Sequence, residues 1–311
     1  MYNVNHEPHG LSHLITVLAE KEIAKVRTLR PIFLVVIALL GCAPTAVDPA
    51  VQLQRLGATI VRDGRGEVTA AYPSNTGILD HELAFLAKLT HLRKVVLSNT
   101  AITDAGLVHL QHLADLQWLS LTNTSVGGAG LGNIRSLMQL ETLHLDNTNI
   151  DNTALANLEA LQSLRVLDLS NTRINGTGLA ALQNLSKLES LQLARTGVTG
   201  AGLVHLTNLT GLRQLNLTAT LVTDSGLIHL QSLANLQSLV LPAAITNAGL
   251  RHLLSLSRLR KLDLSHTRVN AASLETLATF QHLQSLKLPQ TFEPKEAARL
   301  ATSIPQCRIT Y

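Results

Sequence analysis

The chain has 311 residues, of which 46% are hydrophobic but only 3% aromatic and 15% charged, with a formal net charge of +4. A chain this apolar, with mean hydropathy +0.21, can offset its ordering entropy by burial, which excludes intrinsic disorder for its bulk. Its basic residues are scattered singly, without the stripe that a phosphate backbone requires, so nucleic acid is not an expected partner. Cys42 and Cys307 stand far apart in unlike contexts, which excludes a disulfide framework or a cysteine metal site. No cofactor motif is present, and no cofactor is expected.

Taken in chain order, the first element is the apolar run PIFLVVIALLG at residues 31–41, preceded by Lys25, Arg27 and Arg30. Eleven residues are too few to span a bilayer, and the basic flank suits the core of a secretion signal. Its end, Leu39-Leu40-Gly41-Cys42, resembles a bacterial lipobox, which implies cleavage before Cys42 and lipid on its sulfur. An ordinary signal peptide or a buried apolar helix is the alternative reading. Residues 1–30 are an awkward preface to such a signal; a start at Val26 would leave VRTLRPIFLVVIALLGC, a complete one, and precursor peptides from residues 1–25 would refute that start. Residues 1–42 are thus read as extension and signal, and residues 43–50 as a short tether. In the cap that follows, residues 51–67, Arg62-Asp63-Gly64-Arg65-Gly66 has hairpin-turn composition, so a helix and a strand are expected to shield what comes next.

Residues 68–291 form a repeat. Val68, Leu92, Leu116, Leu140, Leu164, Leu188, Leu212, Leu236, Leu259 and Leu283 open about ten units spaced by 24 residues, with one step of 23. Each reads LxxLxLxxTx(I/V)TxxGLxxLxxLxx, as in LRKVVLSNTAITDAGLVHLQHLAD from Leu92. Leu164, Leu167 and Leu169 predict a short parallel strand with one face inward. Leu179, Leu182 and Leu185 recur every three residues, which predicts a short helical segment, with Thr103-Asp104 and Thr223-Asp224 expected as its N-caps. A threonine near the end of each strand (Thr100, Thr124, Thr148, Thr172, Thr196, Thr220 and Thr267) predicts a buried hydroxyl ladder that satisfies backbone groups at the turn. The unit from Leu236 lacks it and is one residue short, so a local break in the ladder is expected near Pro242. Residues 292–311 are expected to cap the far end, with Cys307 buried in that cap.

No unit can bury its leucines alone, so the units must stack. The pattern is that of an α/β leucine-rich repeat solenoid with a concave parallel sheet and short helices on the convex side. Its T-x-I-T-D-x-G-L signature is similar to that of bacterial leucine-rich repeat proteins common among the surface proteins and lipoproteins of planctomycete-like bacteria. A related repeat occurs in F-box leucine-rich adaptors, but no F-box-like domain precedes the repeats here. The resemblance speaks for the fold and not for a ligand.

Strand residues that alternate with the inward leucines should line the concave face. Candidate binding residues are therefore Lys94, Trp118, Thr142, His144, Asp146, Asp168, Gln192 and Asn216. Trp118, the one tryptophan, falls beside Lys94 and Thr142 of adjacent strands, where it would either anchor an interface or cover an aliphatic stem. His144, Asp146 and Asp168 share this face, but an open sheet offers no desolvated pocket, so neither catalysis nor a metal is expected there. His109, His205, His229 and His252 are expected to point outward along the convex face. The sequence thus predicts a non-enzymatic, lipid-anchored scaffold of the bacterial envelope, outside the cytoplasm, that binds a protein or an envelope polymer. An intracellular adaptor and a structural envelope component are the alternatives.

Overall fold

In the computed structural model residues 48–311 are described, and Pro49–Tyr311 form one compact unit. The apolar run, Cys42 and most of the tether lie outside the described residues. Helix Pro49–Arg55 begins within the last residues assigned to the tether and buries Ala50 and Leu53. Proline suits that first position, where its missing N–H would have no helical acceptor. Strand β1 (Thr59–Arg62) then pairs antiparallel with β2 (Val68–Tyr72). In the turn between them Asp63 Oδ1 accepts the N–H groups of Arg65 at 2.9 Å and Glu67 at 3.0 Å, and Gly66 adopts φ +86°.

From β2 onward the sheet is parallel and follows chain order. It comprises β3 (Lys94–Val96), β4 (Trp118–Ser120), β5 (Thr142–His144), β6 (Val166–Asp168), β7 (Ser190–Gln192), β8 (Gln214–Asn216), β9 (Ser238–Val240), β10 (Lys261–Asp263), β11 (Ser285–Lys287) and β12 (Arg308–Thr310). The middle residues of β3 to β11, among them Val95, Leu119, Leu143 and Leu167, are all buried. The returning segments are mostly 3-10 helices, such as Gly176–Leu182, Gly200–Leu206 and Asp224–Leu230. With about three residues per turn, side chains three apart eclipse. That geometry puts Leu179 with Leu182, and Leu203 with Leu206, on one buried line.

The threonine after each strand works within its own unit. The hydroxyls of Thr100, Thr124, Thr148, Thr172, Thr196, Thr220 and Thr267 each donate to the carbonyl three residues earlier, at 2.5 to 2.7 Å. The rungs that join units come from the residue before it. Asn75, Asn99, Asn123, Asn147 and Asn171 all hold left-handed backbone, which asparagine tolerates better than most residues. Asn99 Nδ2 donates to Asn75 Oδ1 (2.9 Å), Asn123 to Asn99 (2.8 Å) and Asn171 to Asn147 (2.6 Å). Asn123→Ala should lower stability by about 1–2 kcal/mol, through both the left-handed turn and the lost rung. Asn123→Gly should lose less, since glycine keeps the turn; urea unfolding midpoints check both.

Of the expected Thr-Asp caps, one takes the N-cap position and one does not. Helix Gly106–Leu110 has Ala105 at its cap position, and Thr223, which does cap Asp224–Leu230, makes no side-chain cap bond. The carboxylates reach instead to the next unit. Asp80 accepts the N–H and hydroxyl of Thr103 (2.9 and 2.6 Å), Asp104 the N–H of Gly127 (2.6 Å), and Asp224 the N–H and hydroxyl of Thr246 (2.8 and 2.5 Å). These bridges explain the glycines of the G-L pairs at Gly106, Gly130 and Gly249. A methyl at Gly106 or Gly130 would come within 2.5 Å of the carboxylate of Asp80 or Asp104. Side-chain caps occur elsewhere, as at Asp151, whose carboxylate accepts from Thr153 and Ala154. The Thr153 hydroxyl, with these N–H groups, holds the Asp151 carboxyl below its ordinary range.

Near Pro242 the hydroxyl ladder lacks a rung, with none between those of Thr220 and Thr267, while β9 still pairs in register with both β8 and β10. The series of left-handed turns ends there too, its last member among the described residues being Ala219. The shorter unit turns without a left-handed residue, with Ile245 N–H donating to Pro242 O at 3.3 Å. At the C-terminus, helix Pro294–Ser303 and β12 cover the last unit. Cys307 is buried there, and that burial raises its thiol above the ordinary range, which favours the protonated form.

Candidate functional site

The exposed face of the sheet carries one aromatic and cationic row across β2 to β5. Lys94 Nζ lies 4.0 Å from the centroid of the Trp118 ring and 5.7 Å from that of Tyr72. The Trp118 ring lies 5.5 Å from that of His144, at an interplanar angle of 40°. Parallel pairing in register produces this row, because it sets Lys94 against Trp118 and Trp118 against Thr142. A cation against an indole face is held by the ring quadrupole, so Lys94 and Trp118 order one another. Trp118 nevertheless remains 36% exposed, and it is the largest side chain on this face.

Thr142 differs from expectation. It is buried, because it lies in register between Trp118 and Val166, whose larger side chains flank it, and so it offers little to a partner. Ser120 is buried as well, within a polar chain along the sheet. Ser98 and Ser120 share a hydrogen bond (2.8 Å), Ser120 and Thr122 another (3.1 Å), and Thr122 Oγ1 donates to Asp146 Oδ1 (2.8 Å). Gln192 and Asn216 are half-buried further along the face. Asn216 Oδ1 accepts the N–H and hydroxyl of Thr218 at 2.9 and 2.6 Å, which fixes its orientation.

His144, Asp146 and Asp168 converge more closely than the sequence suggests. One ligating atom from each lies within 4.8 Å of the others. His144 and Asp168 are register partners on β5 and β6, and Asp146 follows His144 by two residues on the same face. Asp168 Oδ1 accepts the Ser170 N–H (2.9 Å), and Asp146 Oδ2 accepts from Asn147 Nδ2 (2.9 Å).

On the helical side the outward residue is the valine or isoleucine of L-V-H-L and L-I-H-L, not the histidine. Val108, Val204 and Ile228 are exposed, whereas His109, His205, His229 and His252 are half-buried. The three-residue turn accounts for this, since it rotates the histidine toward the flank beside the buried leucine. Among the described residues no helix is long and apolar enough to cross a membrane.

A stack of short parallel strands, returning 3-10 segments and an uninterrupted leucine core defines a leucine-rich repeat solenoid. The chain belongs to the leucine-rich repeat region family, whose model matches residues 74–307. It resembles an internalin (inlF) from Listeria monocytogenes with TM-score 0.53 and 17% identity, over 85% of this chain and 93% of that one. Internalin C2 of the same organism gives TM-score 0.53 and 22% identity, over 79% and 93%. The plant peptide hormone receptor RGFR1, in a complex with RGF2, gives TM-score 0.51 and 18% identity, over 80% of this chain and 39% of that one. A comparison with curated proteins returned no match.

Proposed function

We propose that the protein is a lipid-anchored scaffold of the bacterial envelope that binds a protein partner through its exposed strand face. The observation that carries the reading is the Tyr72–Lys94–Trp118–His144 row: a large, partly exposed indole ordered by a cation on one side and an imidazole on the other. Buried tryptophans at the centre of interfaces dominate binding energies, and pre-ordering lowers the entropy lost on docking. The proposal of an anchor rests on the basic, apolar and cysteine parts of residues 25–42 in lipoprotein order.

Two experiments test the two halves. Trp118→Ala should weaken binding of the partner isolated from the host membrane fraction by about 30-fold, the effect of removing a hot spot of about 2 kcal/mol. Unchanged affinity would move the site elsewhere. Intact mass and N-terminal mapping of the mature protein should find an acylated Cys42; an unprocessed soluble chain would overturn the anchor and restore the intracellular adaptor.

A further inference from the structure

We infer that His144, Asp146 and Asp168 form a divalent-cation site on the strand face, suited to a first-row transition ion such as Zn2+. The inference stands on its own geometry and does not depend on the docking reading. One imidazole nitrogen and two carboxylate oxygens lie within 4.8 Å of one another. Zinc bonds of about 2.0–2.2 Å place two ligands of one tetrahedral ion about 3.3 Å apart, so closure takes small side-chain rotations on a rigid sheet. Among the described residues, neither nitrogen of His144 is hydrogen-bonded, and no lysine or arginine pairs with Asp146 or Asp168. The imidazole is therefore free to ligate, and two neighbouring carboxylates stand without a counter-cation.

The surroundings hold these ligands as an outer shell would. The Ser170 N–H orients Asp168, Thr122 and Asn147 orient Asp146, and the Trp118 ring backs His144. Asn147 is also where the asparagine rungs are interrupted. Its Nδ2 donates to Asp146 rather than to Asn123, while rungs join Asn123 to Asn99 and Asn171 to Asn147 on either side. The donor set selects the ion: an imidazole disfavours Ca2+ and Mg2+, and mixed nitrogen and carboxylate ligands favour Zn2+, Co2+ or Ni2+.

The test is calorimetric titration of the untagged full chain with Zn2+, with Co2+ quenching of tryptophan emission beside it. Trp118 is the one tryptophan in the chain and touches His144, so a paramagnetic ion in this site must quench it. The expected result is one saturable equivalent of Zn2+ with micromolar affinity, and saturable Co2+ quenching. Asp168→Asn, which keeps an acceptor for Ser170, and His144→Gln should each weaken binding at least tenfold while the circular dichroism spectrum is unchanged. No saturable binding would overturn the site, and equal affinity in a folded His144→Gln chain would overturn it and point to the histidines of the helical side. Should Asp168→Asn not fold, His144→Gln and the quenching decide the matter.

Discussion

Gly202→Ala is expected to destabilise the solenoid by about 3 kcal/mol, a large effect for a single methyl. The added Cβ would lie 3.0 Å from both the carbonyl carbon and oxygen of Gly176, and closer still to its Cα. Backbone stands on both sides of that contact, so no side chain can rotate away. Gly176 and Gly200 occupy the positions that Asp80, Asp104 and Asp224 hold in other units. In place of a carboxylate bridge the backbones themselves meet, with parallel bridges between Asn175 and Gly197 and between Thr199 and Leu221. Because stability in a stacked array comes largely from contacts between neighbours, forcing two units apart weakens the array at its middle. Gly77→Ala is the matched control: nothing lies within 4 Å of its Cβ position, and the change should stay within about 0.5 kcal/mol. Urea unfolding of the two variants checks the contrast.

Leu143→Ala should lower stability by about 3–5 kcal/mol, the range for emptying a buried leucine site that cannot collapse. Leu143 is fully buried at the centre of β5, in register between Leu119 and Leu167, and both neighbours are fixed by their own strand pairs. The rigid stack leaves nothing to fill the void. Leu254→Ala on the helical side, where the leucine is 49% exposed, should change stability by no more than about 0.5 kcal/mol. Thermal and denaturant midpoints of the pair separate core packing from mere loss of apolar area.

The strands and the leucine core are legible in the sequence because burial imposes a period, and the 24-residue spacing carries over directly into strand register, as from Lys94 to Trp118 to Thr142. The three-residue leucine spacing likewise encodes the tight helical return. Contacts between units are harder to read, since each joins residues more than twenty positions apart. Asp104 looks locally like a cap, and only stacking shows that it holds the Gly127 N–H and stands against Gly130. The asparagine rungs had a visible signal, the Asn-Thr pair closing successive strands, whose meaning rests on the left-handed turn that asparagine permits. On the strand face, alternation places Trp118, His144 and Asp168 correctly on one side, but neither the burial of Thr142 nor the 4.8 Å convergence of the triad follows from alternation. Both depend on the sizes and rotamers of neighbours one unit away.

The most direct test of the strand face as the docking surface is a photo-crosslinking map in the native host. A photoreactive residue is placed singly at Lys94, Gln192 and Asn216 on that face, and at Val108, Ile228 and Leu254 on the helical side. The expected result is one protein adduct that forms from the strand-face positions, is absent from the helical ones, and diminishes when Trp118→Ala is added. Adducts that form from the helical side alone, or from the strand face regardless of Trp118→Ala, would contradict the assignment.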